Sequence, residues 1–265
     1  MVKKIFIGFL ALLIVQLVYS QKNSKPIISS QNFSSKTELW ESVGHGILNF
    51  EADVMYIYGK LFVTDLMPDS ANHKLPTLTD AYLYTLFNQY KKNNGEIIPG
   101  YQGDIYLILN ISNQPVQVYK QLAAEMRPFT DMLTFELAGV KHPGKLRILI
   151  KDSRQLDQIN SIKPSFLGLV GSMADIDKKA DPNTMPLIEI DFSEITRWKG
   201  TGNIPFEDFQ KFKDVVANVH SQNKKIIIRN CPTYKAVADV MQTSKADFVS
   251  TPEAIKMAGF FVTPK

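Results

Sequence analysis

The chain has 265 residues, of which 45% are hydrophobic and 21% are charged, with 14 glycines and 14 prolines. This is the composition of an ordinary globular protein, and it excludes the disordered, collagenous and coiled-coil classes. The formal net charge of +4 does not indicate nucleic-acid binding, which needs a concentrated basic face. The one cysteine, Cys231, excludes an intramolecular disulfide and a zinc site of the CxxC type.

Residues 1–20 have the pattern of a secretory signal peptide. A basic start precedes an almost wholly apolar run over residues 5–18, and cleavage before Gln21 leaves residues 21–265 as the mature chain. An uncleaved membrane anchor is the alternative, although the run is shorter than the ~20 residues that a span needs. We therefore expect a secreted or periplasmic protein without a stable membrane span, in which Cys231 is a buried thiol.

In the remaining chain, short β-branched apolar runs alternate with longer segments of helical period. The predicted strands are residues 26–29, 47–55, 105–111, 146–150, 166–170, 187–190, 225–230 and 248–250. The predicted helices are residues 36–43, 79–92, 116–132, 153–159, 206–222, 234–243 and 252–258. Eight strands that mostly precede a helix predict a single-domain α/β protein, a (β/α)8 TIM-type barrel. A doubly wound open sheet is the main alternative, because it shows the same alternation.

The second predicted strand separates its side chains into an apolar face and a polar face. The apolar face holds Leu48, Phe50, Ala52 and Val54, and the polar face holds Asn49, Glu51 and Asp53. Carboxylates near the C-terminal end of an inward face lie where barrel enzymes carry out their chemistry. Residues two apart on a strand, roughly 7 Å between Cα atoms, can also converge on one hard cation. An edge strand with a solvated face explains the same pattern without any site.

The segment from Glu51 to Asp65 resembles glycerophosphodiester phosphodiesterases and related phospholipase-C-like phosphodiesterases. In that family an E-x-D strand is followed by a turn with glycine, an apolar strand and a catalytic histidine. Residues 75–80 resemble the family's approach to the next helix, and residues 204–251 follow its closing strand and helix order. The resemblance implies a barrel that cleaves phosphodiesters with a divalent cation, calcium or magnesium, and two histidines as general acid and base.

The resemblance also implies a set of metal ligands. Glu51 and Asp53 stand at the metal positions, and Asn110 stands near the third acidic ligand, which has lost its charge. Asp65 adds a third carboxylate near the same mouth, and with Asn110 and Gln31 it predicts an oxygen-rich cage of the kind calcium favours. An Asp65 that simply faces water is the alternative.

The family's two catalytic histidine positions are both substituted. Gln31 and Asp65 occupy them, and Asn32 matches the asparagine beside the first histidine. The four histidines of the chain are His45, His73, His142 and His220. We expect His45 and His220 at the bottom of the barrel and His142 in a solvated turn. His73 lies in a loop on the correct side, although loops seldom hold a base within hydrogen-bond reach.

Three functions stay open at this point. The first is a phosphodiesterase-family protein, a phosphoric diester hydrolase by resemblance, with impaired catalysis and a glycerophosphodiester or phospholipid-headgroup ligand. The second is a non-catalytic extracytoplasmic barrel that binds a ligand or partner, and the third is a scaffold with no site. Arg229 and Asn230 end a predicted strand, where one of them either holds an anion at the mouth or forms a salt bridge with a neighbouring carboxylate.

Overall fold

The computed structural model describes residues 27–31 (backbone only), 35–67, 75–151 and 165–261. The strands are β1 (Ile27–Gln31), β2 (Ile47–Ile57), β3 (Lys60–Val63), β4 (Ile105–Ile111), β5 (Phe135–Leu137), β6 (Val140–His142), β7 (Leu146–Ile150), β8 (Leu167–Gly171), β9 (Leu187–Asp191), β10 (Lys225–Arg229) and β11 (Phe248–Ser250). The α-helices are α1 (Lys36–Gly44), α2 (Tyr84–Lys92), α3 (Pro115–Met126), α4 (Phe192–Ile195), α5 (Phe206–Ser221), α6 (Lys235–Ser244) and α7 (Ala254–Phe261). The predicted signal segment and the predicted helix 153–159 lie outside the described residues. Within those residues, no helix combines the length and apolarity needed to cross a bilayer.

Eight of these strands pair in parallel around a continuous ring. The order is β1, β2, β4, β7, β8, β9, β10 and β11. β1 pairs with β2, where Gln31 lies opposite Glu51, and also with β11, where Ile27 lies opposite Phe248. An open sheet would leave two edge strands with one neighbour each, so this pairing excludes the doubly wound alternative. The predicted α/β barrel is confirmed.

The predicted strands are all present, and their ends differ from the prediction by no more than two residues. Two antiparallel features were missed: β3, which extends from β2, and the β5–β6 hairpin. Both lie outside the ring, so the alternation of strand and helix carries no signal for them. The predicted helix 79–92 begins with a π-helical turn, Thr79–Leu83. The predicted helix 116–132 is shorter, because Pro128 lacks the N–H that an α-helix needs and a 3-10 turn follows Met126.

Side chains along the ring strands alternate between two apolar cores. The larger core fills the space between the ring and the helices, and on β4 it takes Leu107 and Leu109. The smaller core consists of Tyr106, Ile108, Leu149, Val170, Leu187, Ile227 and Phe248. These residues come from six strands and alternate with members of the larger core, so they fill the lumen of the barrel. A charged group in this lumen has an apolar floor beneath it and needs a partner.

The thiol of Cys231 is buried just after β10, where it donates a hydrogen bond to the carbonyl oxygen of Ile228 at 3.4 Å. Burial raises the pKa of the Cys231 thiol well above its ordinary value, so the reactive thiolate is scarce at neutral pH. We expect a thiol reagent such as dithionitrobenzoate to leave native Cys231 unmodified and to modify it fully in denaturant. Rapid modification of the native chain would show that this site opens.

Candidate functional site

Glu51 and Asp53 lie on the lumenal face of β2, as the alternating pattern predicted. Glu51 pairs in register with Ile108, a member of the lumenal core, whereas Phe50 packs in the outer core. Glu51 is only 3% exposed, and Asp53, nearer the C-terminal end of the strand, is half-buried. The alternative of an edge strand with a solvated face is therefore wrong.

Four side chains form a charge cluster at this level: Glu51, Lys151, Glu189 and Arg229. Lys151 follows β7 directly, and its Nζ lies 2.8 Å from Oε2 of Glu51 and 3.2 Å from Oε2 of Glu189. Arg229 ends β10, with Nη1 2.8 Å from Oε1 of Glu189 and Nη2 3.6 Å from Oε2 of Glu51. Two carboxylates therefore share two cations, and the charge cluster is formally neutral. The predicted alternative of a salt bridge at Arg229 is confirmed.

The charge cluster is largely withdrawn from water. The exposed fraction of its side chains ranges from 4% for Glu51 to 23% for Arg229. Burial alone would lower the pKa of Arg229, but the Glu51 and Glu189 carboxylates outweigh it and hold that pKa above its ordinary value. Each ion in such an enclosure depends on its partners, because desolvation costs several kcal/mol per ion when the charge is uncompensated.

Two carboxylate–carboxamide pairs lie at the C-terminal strand ends that form the mouth. The Nδ2 of Asn110 donates to Oδ1 of Asp53 at 2.7 Å, and the Nδ2 of Asn230 donates to Oδ2 of Asp191 at 2.5 Å. Burial raises the pKa of Asp191, but hydrogen bonds from Ser193 and Asn230 outweigh it, so the pKa lies below its ordinary value. Both pairs present polar atoms at the rim of the mouth.

Sequence reasoning missed two members of the charge cluster, Lys151 and Glu189, although the sequence holds a signal for each. Glu189 and Asp191 repeat on β9 the E-x-D pattern of β2, and these two strands lie four positions apart around the ring. Lys151 is two residues beyond Leu149 of the lumenal core and so shares its side of the strand. Extending the strand alternation by one residue would have placed Lys151 at the mouth.

The predicted three-carboxylate cage is wrong for the described part of the chain. Asp65 is exposed in the turn after β3, where water hydrates its carboxylate. Among the described residues, no three His, Cys, Asp or Glu side chains are grouped closely enough to hold a metal ion. Gln31 ends β1 with its backbone opposite Glu51, and Asn32 lies outside the described residues.

The donor set around the E-x-D strand does not fit a divalent cation. Oε2 of Glu51 already has the ammonium of Lys151 at 2.8 Å. A carboxylate only accepts hydrogen bonds, so Asn110 must turn its N–H group, and not its carbonyl oxygen, toward Asp53. Calcium and magnesium require oxygen ligands, which this arrangement does not supply together.

Three of the four histidines are described, and none of these three is at the mouth. His45 is exposed in the turn before β2, and His142 stacks on Phe135 in the β5–β6 hairpin, with 4.5 Å between ring centroids. His220 is near the end of α5, and its Nε2 lies 2.7 Å from Oδ2 of Asp247 before β11. His45 and His220 are therefore at the bottom of the barrel, as predicted. His73 lies outside the described residues.

Comparison with protein-family models gives no match, and comparison with curated protein sequences gives none. Among solved structures, the chain is similar to a glycerophosphodiester phosphodiesterase from Agrobacterium tumefaciens, with 11% identity, 89% of this chain and 99% of that chain covered, and a TM-score of 0.49. It is also similar to the glycerophosphoryl diester phosphodiesterase domain of an uncharacterized protein from Mycobacterium tuberculosis, with 12% identity, coverages of 89% and 98%, and a TM-score of 0.48. A phosphoribosyl anthranilate isomerase from Thermus thermophilus is similar at 7% identity, with coverages of 88% and 96% and a TM-score of 0.40.

Proposed function

We propose that this chain is a secreted, phosphodiesterase-like barrel with impaired catalysis, which binds a glycerophosphodiester or a phospholipid headgroup at its mouth. The observation that carries the proposal is the direction and the pairing of the Glu51 side chain. This residue of the E-x-D strand points into the lumen, yet it is paired with Lys151, and no described histidine is close to it. The mouth therefore keeps polar side chains but, among the described residues, has no histidine to transfer protons.

Impaired catalysis follows from the chemistry of the substituted positions. General acid and general base assistance each contribute about 10²–10⁴-fold to a hydrolysis rate. The amide of Gln31 has no proton that titrates in water, and the carboxylate of Asp65 is in an exposed turn. A barrel that lacks both contributions should hydrolyse a phosphodiester at close to the uncatalysed rate.

Ligand binding is supported by donors and acceptors that converge at the mouth. The ammonium of Lys151 has three N–H groups; one donates to Oε2 of Glu51, the nitrogen lies 3.2 Å from Oε2 of Glu189, and an N–H group remains for a phosphoryl oxygen. The carboxylates of Asp53 and Asp191 can accept hydrogen bonds from glycerol hydroxyls. The mouth thus offers one cationic donor flanked by acceptors, which suits a headgroup with both phosphate and hydroxyl groups.

The activity prediction is tested with purified protein, glycerophosphocholine and bis(p-nitrophenyl) phosphate. We expect turnover no faster than that of the Glu51→Gln variant, whether calcium, magnesium or a chelator is present. The matched control is Glu253→Gln, which changes an exposed carboxylate at the surface. Metal-stimulated turnover that Glu51→Gln abolishes and Glu253→Gln keeps would show a competent phosphodiesterase.

A non-catalytic barrel that binds a protein partner is the second candidate. It is favoured by apolar side chains exposed around β3: Tyr58 is 100% exposed, Leu66 is 72% exposed and Met67 is 62% exposed. A thermal-shift series with glycerophosphocholine separates the candidates, because a ligand of the native state raises stability by mass action. A shift that Asp53→Ala removes supports the headgroup site, and no shift at any concentration supports the partner-binding barrel.

A further inference from the structure

The position of Lys151 in the ring explains why it meets two carboxylates at once. β7, the strand it follows, lies two strands from β2 and two strands from β9. Glu51 and Glu189 therefore reach toward the lumen axis from either side, and the long lysine stem carries its ammonium between them. The 2.8 Å contact is a charge-assisted hydrogen bond to Oε2 of Glu51, and the 3.2 Å contact with Oε2 of Glu189 is an ion pair without a hydrogen bond.

Arg229, at the end of β10, contacts the same two carboxylates. Its guanidinium binds Oε1 of Glu189 at 2.8 Å, on the oxygen that Lys151 does not contact, and lies 3.6 Å from Oε2 of Glu51. Each carboxylate thus faces both cations, and the four formal charges sum to zero. A divalent ion placed here would leave an excess of two positive charges in a site with an apolar floor.

We propose that the ammonium of Lys151, braced by Arg229, occupies the cation position between Glu51 and Glu189, so that the lumen takes no divalent metal ion. Calcium binds oxygen at about 2.3–2.6 Å and magnesium at about 2.0–2.1 Å, so neither can share this space with the lysine Nζ. The two carboxylates are a latent cation site that the chain fills with its own side chain. The inference concerns cation binding and holds whether or not a headgroup binds at the mouth.

The wild-type chain supplies the first arm of the test. We expect its melting temperature to be the same within about 1 °C in chelator, in about 10 mM calcium chloride and in about 10 mM magnesium chloride, since no native-state site responds by mass action. Equilibrium dialysis against calcium should recover no bound ion. Stabilisation of the wild type by either ion, lost in the Glu51→Gln variant, would overturn the proposal even if no phosphodiester is hydrolysed.

The Lys151→Ala variant supplies the second arm, because it empties the cation position and leaves both carboxylates in place. We expect about 10 mM calcium chloride to raise its melting temperature by about 3 °C. The double variant Lys151→Ala/Glu51→Gln should lose this response, and the surface control Lys91→Ala should never show it. A folded Lys151→Ala variant whose melting temperature does not change when calcium is added would overturn the proposal. If that variant folds only with calcium present, the proposal is supported, and if it folds in neither condition, the wild-type arm decides.

Discussion

Replacing Lys151 with methionine is expected to lower the free energy of unfolding by about 3–5 kcal/mol, because it removes one of the two cations that the buried carboxylates share and leaves one negative charge of the cluster uncompensated. Methionine keeps most of the length of the lysine stem, so the loss reports the charge rather than a cavity. Glu51, at 4% side-chain exposure, retains only the 3.6 Å contact with Arg229 among the cations of the charge cluster. Urea denaturation at pH 7, with the slope checked for two-state behaviour, measures the change.

A double-mutant cycle separates the charge pairing from general damage. The double variant Glu51→Gln/Lys151→Met should lose less stability than the two single variants combined, by about 1–3 kcal/mol, since residues in one ion-paired network are coupled. The matched control is Lys91→Met, which removes an exposed pair with Asp131 and should cost about 0–1 kcal/mol. Strictly additive losses in the cycle would mean that Lys151 and Glu51 do not interact in solution.

The second large effect is expected at the bottom of the barrel, where Asp247 joins α5 to the start of β10. Its Oδ2 accepts from His220 Nε2 at 2.7 Å and from the backbone N–H of Ile226 at 3.0 Å, and its Oδ1 accepts from Lys225 Nζ at 2.9 Å. Hydrogen bonds to charged groups contribute about 1.5–3 kcal/mol each, less where a partner is exposed. We expect Asp247→Ala to cost about 3 kcal/mol at pH 7 in the same urea assay.

The pH dependence of this loss follows from the direction of the Asp247 pKa shift. Burial raises the pKa of Asp247, but hydrogen bonds from His220, Lys225 and the Ile226 backbone outweigh it, so the native-state pKa lies below the ordinary value. The stabilisation is therefore complete above the unfolded-state pKa, near 4, and is lost as the pH falls through the lower native-state pKa. The difference between wild type and Asp247→Ala should shrink in acid. The exposed control Asp131→Ala should change little at any pH, and a difference for Asp247→Ala that does not depend on pH would contradict the assignment.

The positions of the barrel strands and of the lumenal carboxylates were accessible from the sequence because they depend on local patterning. β-branched apolar runs separated by helical segments located the eight ring strands, and alternation along β2 placed Glu51 and Asp53 on one face. The same order of strand and helix put His45 and His220 at the N-terminal strand ends. Such features need only the identity of near neighbours along the chain.

The chemistry of the mouth depended on contacts that no local pattern records. Lys151 and Glu51 are 100 residues apart, and they meet because β7 and β2 lie two strands apart in the ring, with both side chains turned inward. The family resemblance implied a cation at Glu51 and Asp53, and Asp65 was separately expected to add a third carboxylate at the mouth. The tertiary structure instead brings Lys151 and Arg229 to the carboxylate of Glu51 and leaves Asp65 exposed. Local pattern thus determined which residues face the lumen, and ring order and side-chain reach decided which charges neutralise one another there.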